Sequence, residues 1–291
     1  MRRCSGLALA AALAGSAACA EPATYLGTYR WRVDGPAFGG FSALDLSEDG
    51  RAYVTVSDRG QVLAGRFLRD ADGVVTGASV LLQDWVRNPQ GQRLLGKLAD
   101  AEGVARDGHG GIFVSFEGEA RVAHYPAIGG PAIDIASPRD FAGFPGNEGP
   151  EALAMDAKGA IYAIPERAML RNRAFPVYRL QNGKWDRPFT LEAKGNWLPV
   201  SADFGPDRRL YVLFRDFLGL RGFLSRVVRY DLTGGQIDLG EVLLETAPGV
   251  HDNLEGLAVW QDSQGLRLTM ISDDNFSILQ QTELVDYRLE N

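Results

Sequence analysis

Five times along this chain the same order of short runs recurs: an apolar run, a turn, a second apolar run ending in charge, and a third run. The first runs are FSALDL from Phe41, AEGVARD from Ala101, PEALAMD from Pro150, VSADFGPD from Val200 and LEGLAVW from Leu254. The turns EDG, GHGG, AKG, PDRR and DSQG lead from these into AYVTVSD, GIFVSFE, AIYAIPE, RLYVLFRD and LRLTMISDD. Third runs follow (QVLAGRF, RVAHYPA, FPVYRLQ, RVVRYDL, ELVDYRL), and fourth runs close the first four units (ASVLLQDW, PAIDIAS, PFTLEA, GEVLLET). The fifth unit runs out of chain, while TYLGTYRWRV from Thr24 stands unpaired near the start.

Val, Ile, Phe and Tyr dominate these runs, and such side chains suit a pleated, half-buried surface. The 35 glycines supply tight turns between them. About four strands every ~50 residues is the period of a propeller blade. The expected fold is therefore an all-β β-propeller of five four-stranded blades, with six blades as the alternative. The N-terminal strand, residues 25–33, should join the last blade beside the strand at 283–289. That closure would pair two open sheet edges, which otherwise invite aggregation. A β-sandwich would explain the strand content but not the repeated order. The longer connections are too few and too short for a second domain, so residues 21–291 read as one.

Residues 1–20 read as a secretory signal peptide: Arg2 and Arg3, an apolar stretch from Leu7 to Ala14, and the small-x-small site ACA before Glu21. The apolar stretch is too short to span a bilayer. Acylation of Cys19 would instead make a lipoprotein, but Ser16 stands where a large aliphatic residue is usual. The expected location is periplasmic or secreted. Both cysteines, Cys4 and Cys19, lie in this segment, so the rest of the chain has no thiol chemistry. A formal charge of −7 argues against nucleic acid as a partner. No other run is long and apolar enough to cross a membrane, and the chain is expected to act as a monomer.

In a propeller the first strand of each blade lines the central channel. Aligning the units puts Ser42, Glu102, Glu151, Ser201 and Glu255 together at one channel mouth, with Asp100, Asn147, Glu148, Asp252 and Asn253 just upstream. The second strands return antiparallel to the same mouth. They deliver Asp58 with Arg59, Glu117 with Glu119, Glu166 with Arg167, Arg215 with Asp216, and Asp273 with Asp274 and Asn275. Converging carboxylates raise one another's pKa unless a cation sits among them. Oxygen ligands with no cysteine and no histidine cluster suit a hard cation such as Ca²⁺. The candidate metal ligands are Glu102, Glu151, Glu255, Asp273 and Asp274. Alternatively, each Glu caps loop amides of a neighbouring blade while the arginines pair with nearby acids.

Of the three histidines, His109 falls in a turn, His124 in a third strand, and His251 alone reaches the acidic mouth. No G-x-S-x-G elbow and no P-loop occur. Phe41, Trp197, Phe217, Phe223 and Phe276 flank the mouth and either shape a pocket or pack between blades.

At these residues the chain resembles the phytase-like family, described as "esterase-like activity of phytase". The matching elements are GGFSAL with VSDRG, DAEGVA with FEGE, NEGPEALA with PER, and NLEGLAV with ISDDNFS, over about residues 25–289. The resemblance implies an exported β-propeller that hydrolyses a small-molecule ester or phosphate ester. True β-propeller phytases, more distantly similar, use several Ca²⁺ ions and a Lys/Arg-lined phosphate site. Here Arg59, Arg167 and Arg215 are the candidate substrate-binding residues, and the scarcity of lysines argues against phytate. Glu148, Glu151 and His251 are the candidate catalytic residues, the carboxylates as acceptors of a proton from water. Two rival readings remain: a non-catalytic propeller that binds a small anion or an envelope protein, and a calcium-dependent lactonase.

Overall fold

The computed structural model describes residues 23–33, 35, 37–144, 148–167 and 173–290. The expected signal peptide with its two cysteines, Asn147, and residues 168–172 lie outside the described residues.

The N-terminal strand is β1 (Thr24–Arg30). The first blade is β2 (Phe41–Leu46), β3 (Ala52–Ser57), β4 (Gln61–Arg69) and β5 (Val75–Trp85). The second is β6 (Ala101–Arg106), β7 (Ile112–Phe116), β8 (Arg121–Tyr125) and the short β9 (Ile133–Asp134). The third is β10 (Pro150–Met155), β11 (Ile161–Pro165), β12 (Ala174–Gln181) and β13 (Lys184–Glu192). The fourth is β14 (Leu198–Phe204), β15 (Leu210–Phe217), β16 (Phe223–Tyr230) and β19 (Glu241–Glu245). Between its last two strands lies a small ribbon, β17 (Leu232–Thr233) with β18 (Gln236–Ile237), which the repeat pattern does not contain. The last blade is β20 (Asn253–Asp262), β21 (Gly265–Asp273) and β22 (Glu283–Arg288), completed by β1 in the order β1-β22-β21-β20.

Closure is thus as the unpaired N-terminal run requires. Thr24 faces Arg288 and Arg30 faces Glu283 in an antiparallel ladder. The first strands form a closed ring, each touching the next: β2, β6, β10, β14, β20 and back to β2. Five blades, not six, fill it.

The turns owe their form to a repeated aspartate. The carboxylates of Asp49, Asp107, Asp156, Asp207 and Asp262 each accept the N–H two residues on, between the first and second strands of their blades. Such side-chain-to-backbone bonds stabilise turns locally. The hydrophobic core is divided among the seams between blades. Val54 and Val114 share one cluster, Leu153 and Val122 another, Phe175 and Phe214 a third, Leu213 and Met270 a fourth. The fifth joins the last blade to the first, where Trp31 stacks on Phe41 at 5.5 Å. Phe41 therefore packs between blades and does not line the mouth.

The last-to-first seam also holds a buried ion pair. Arg69 Nη1 lies 2.8 Å from Asp286 Oδ1, with side chains 3% and 2% exposed. Asp286 also accepts the Val75 N–H at 2.8 Å and the Thr269 hydroxyl at 2.6 Å. At the channel end opposite the acidic mouth, Asp45 accepts the N–H of Arg106 and Asp203 that of Val259, each bond joining one blade to the next. Burial raises the Asp45 pKa to about 6 against the pull of Arg106. It raises that of Asp203 well above the usual range, with Asp45 adding to it.

Candidate functional site

Each innermost strand starts with a β-bulge at the same place. The register between first and second strands skips one residue after Phe41, Ala101, Pro150, Pro199 and Leu254. The extra residues are Ser42, Glu102, Glu151, Val200 and Glu255. A bulge leaves one residue unpaired and re-aims its side chain. The residue that follows is always small: Ala43, Gly103, Ala152, Ser201 or Gly256. Close approach of neighbouring strands at the ring explains this. A Cβ on Gly103 would stand 2.5 Å from the Glu151 carbonyl oxygen, and one on Gly256 2.7 Å from the Leu44 amide nitrogen.

The bulges correct one expectation. Ser201 does not share the position of Ser42 and the three glutamates; Val200 does. Ser201 sits one residue later, and its Oγ accepts the Leu257 N–H at 3.0 Å. The apolar Val200 packs in the seam with Leu254. The ring is therefore three glutamates, one hydroxyl and one valine.

Around it the second strands deliver further carboxylates. Oxygens of Asp100, Glu102 and Glu117 lie within 4.8 Å of one another, and so do those of Glu117, Glu151 and Glu166. Glu117 belongs to both groups. Burial, then Glu151, Glu255, Asp100 and Glu117, push the Glu102 pKa well above the carboxylate range. Burial and Glu166 do the same to Glu151, although Arg215 opposes them. Burial, with Asp100, Glu166 and Glu255, brings Glu117 to about 7. Asp273, 5% exposed, is raised to about 8 by burial and Glu255. Burial raises Asp58 to about 6, and its Oδ1 is buried without a hydrogen-bond partner.

Arg215 is the cation embedded in this cluster. Its guanidinium donates to Glu255, to Asn253 Oδ1 at 2.9 Å and to Glu166 Oε1 at 3.3 Å. Burial would lower its pKa, but Glu255, Glu151, Glu166 and Glu102 together raise it. Glu255 also accepts the Asn253 amide at 2.7 Å. The structure thus divides the expected metal ligands. Glu102 and Glu151 fall in the two carboxylate groups, whereas Glu255 is engaged by Arg215. Asp273 accepts the Asn275 N–H at 2.7 Å. Asp274 holds loops: it accepts the N–H groups of Gly40 and Phe276 and the Thr282 hydroxyl. Asp100, Glu117 and Glu166, the other members of the two groups, were present in the sequence as acids at strand ends. Nothing local marked them above Glu119 or Asp216.

Among the other expected site residues, Arg167 lies at the rim, 3.5 Å from Glu166 and 3.7 Å from Glu148, with its side chain 53% exposed. Arg59 stacks over the Phe276 ring at 3.2 Å. His251 is buried; its Nε2 stands 2.6 Å from the Tyr287 hydroxyl and its ring lies against Tyr25. Burial lowers its pKa. Its hydrogen-bond partner is thus a tyrosine of the last blade and not a mouth carboxylate.

A cleft of about 780 Å³ opens beside the acid cluster, over the seam between the third and fourth blades. Arg167, Arg173 and Arg215 line it with Glu166 and Asn253, and Trp197, Phe217 and Phe223 form its apolar part. Arg173 was not among the sequence-derived candidates. Cavities of this size, with a few convergent polar groups, are typical of small-molecule sites.

No helix among the described residues is long and apolar enough to cross a membrane. The family profile described as "Phytase-like: Esterase-like activity of phytase" matches residues 36–276. No curated protein matches the chain. Among solved structures, 1,3Gal43A, an exo-β-1,3-galactanase from Clostridium thermocellum, superposes with a TM-score of 0.54 at 14% identity, over 84% of this chain and 57% of that one. At that identity the likeness concerns the fold alone. The PQQ-bound aldose sugar dehydrogenase from Streptomyces coelicolor (TM-score 0.46, 12% identity, 92% of this chain and 99% of that one) is less similar. So is the virginiamycin B lyase from Staphylococcus aureus (TM-score 0.44, 11% identity, 85% and 82%).

Proposed function

The chain belongs to the phytase-like family, and from that premise we propose that it is a metal-dependent hydrolase of a small-molecule ester or phosphate ester, acting at the acidic mouth. The observation that carries this reading is the pair of carboxylate groups sharing Glu117, placed beside an arginine-lined cleft. Carboxylates packed this closely stay ionised at neutral pH only beside positive charge. Among the described residues Arg215 is the guanidinium embedded there, and it is committed to Glu255 and Glu166. An all-oxygen donor set fits Ca²⁺. Asp100, Glu102, Glu117, Glu151 and Glu166 would hold the ion, with the unpartnered Asp58 Oδ1 a further oxygen at the same mouth.

The chemistry supplied by such an ion is Lewis acidity toward a phosphoryl or carbonyl oxygen and a lowered pKa of bound water. The protein's own groups do the rest. Arg167 and Arg173 at the rim orient the anionic or ester end of the substrate by forked hydrogen bonds, while Arg215, held by Glu255 and Glu166, adds positive charge deeper in the cleft. Glu151 would accept the water proton. Glu148 keeps Arg167 turned toward the cleft. His251 is given no role in the reaction. Residues 21–291 act as one exported unit after removal of residues 1–20.

The test is hydrolysis of p-nitrophenyl phosphate and p-nitrophenyl acetate by the purified protein with Ca²⁺ and with chelator. Turnover that needs the ion and falls at least 100-fold in Glu117→Gln supports the proposal. A second reading, an anion-binding propeller without turnover, is favoured by Arg167 and Arg173 lining the cleft while Arg215 already offsets part of the carboxylate charge. Phosphate binding with no hydrolysis at saturating Ca²⁺ would leave that reading in place.

A further inference from the structure

A second cavity, of about 410 Å³, lies on the same seam between the third and fourth blades. Leu191, Phe214, Val228, Tyr230, Ile237 and Val242 make up its apolar side. Lys194, Glu192 and Asp238 also line it. The two cavities have Trp197 in common. They take alternate residues of the same segments: Arg173 and Phe175 line the cleft and Ala174 the pocket, Arg215 the cleft and Phe214 the pocket. Alternation in a strand sends neighbouring side chains to opposite faces. Trp197 lines both cavities, and the Phe175 ring on the cleft and the Phe214 ring on the pocket have centroids 6.4 Å apart. Arg226 lies over the Trp197 ring at 4.2 Å on the pocket side and is itself paired with Glu245.

A cleft lined by guanidinium groups and a cavity with a broad apolar side, meeting at Trp197, match a ligand with two unlike ends. We infer that the substrate is amphiphilic: its anionic or ester head sits in the arginine-lined cleft, and its alkyl or aryl part enters the 410 Å³ cavity past Trp197. This rests on the ester-hydrolase reading for the identity of the head group, whereas the two-ended binding rests on the cavities. The ribbon of β17 and β18, an addition to the repeated blade, supplies Ile237 to the wall and is followed by Asp238 and Leu239, which also line it. The fourth blade thus carries extra chain where the cavity needs a floor.

The test uses a series of n-alkyl phosphonates, methyl to octyl, titrated into the full-length protein by calorimetry. They carry head and tail but no hydrolysable bond, so the result is independent of turnover. Each added methylene buried in the cavity should tighten binding about fourfold, until the cavity is filled. Val242→Trp, a substitution at a half-exposed strand position on the pocket wall, should flatten that gradient and leave methylphosphonate binding unchanged. Val242→Ala should keep the gradient and extend it to longer chains. Equal affinity for methyl and octyl phosphonates, a gradient that survives Val242→Trp, or no binding of any member would overturn the inference. If the gradient is found but no ester is hydrolysed with Ca²⁺, the hydrolase reading fails and the two-ended site stands.

Discussion

Glu102 and Glu151 occupy the same bulge in consecutive blades, and the charge of Glu151 pushes the Glu102 pKa upward. The repeat thereby concentrates like charge at one point, at a cost that a bound cation would offset. Four expectations follow from this arrangement and from the ring that enforces it.

Ca²⁺ should stabilise the protein through Glu117. At a hundredfold excess over Kd, binding to the folded state contributes about 2.7 kcal/mol, or about 5–10 °C in melting temperature. Glu117→Gln removes a member of both carboxylate groups and should abolish the response. Glu255→Gln removes one of the two carboxylate partners of Arg215, so it should lower stability equally with Ca²⁺ and with chelator. Scanning calorimetry of the three proteins checks this, and a Glu117→Gln protein that keeps the full response would exclude the shared site.

Removing Arg215 should be among the most damaging single changes. It leaves Glu166 and Glu255 buried without their cation, a loss of about 3–5 kcal/mol for a broken buried pair. The deficit in Arg215→Gln should shrink at pH 5, where Glu255, its pKa raised by burial, can take up a proton instead. Urea unfolding at pH 5 and pH 8 measures both. A deficit that is the same at the two pH values would show that packing, and not charge, is what was lost.

Stability should fall as pH rises from about 4 to 8 in chelator. Glu117, Asp273 and Asp203 all have folded-state pKa values above their unfolded ones. The folded state then binds more protons than the unfolded one, and stability declines as pH climbs through that window. Asp203→Asn keeps an oxygen for the Val259 N–H and removes a buried charge, so it should gain on the parent at pH 8 but not at pH 4. Melting curves across pH decide it; a parent protein more stable at pH 8 than at pH 5 would contradict the sign.

The ring should depend on Asp286. Asp286→Ala breaks the pair with Arg69 and orphans the Val75 N–H across the seam between last and first blades. The expected loss is about 3–5 kcal/mol. Deleting Thr24–Arg30 removes the outer strand of the last blade and exposes the edge of β22, so insoluble protein is expected. Denaturant titration of the point variant and a solubility assay of the deletion are the measurements; a soluble, cooperatively unfolding deletion would show that the closure is dispensable.

The blades could be read along the chain because their information is local. Strand-forming side chains, aspartate turns and a recurring order of runs act over a few residues at a time. The missing fourth run of the last unit then implied where Thr24–Arg30 must go. The gathering of charge at one mouth followed from strand direction alone. Which charges meet did not. Ser201 looked equivalent to Ser42 by spelling, but the bulge falls at Val200, because the residue that must be small is set by how near the adjacent blade's backbone comes. Arg215, Arg167 and Arg59 looked alike in sequence. One is embedded among glutamates, one sits at the cleft rim, and one stacks on Phe276. His251 neighbours Asp252 in the chain yet turns to Tyr287, a partner 36 residues away. Radial position in a closed ring depends on contacts between blades far apart in sequence. Local pattern therefore specified the strands and the mouth, while the ring's packing assigned each side chain its partner.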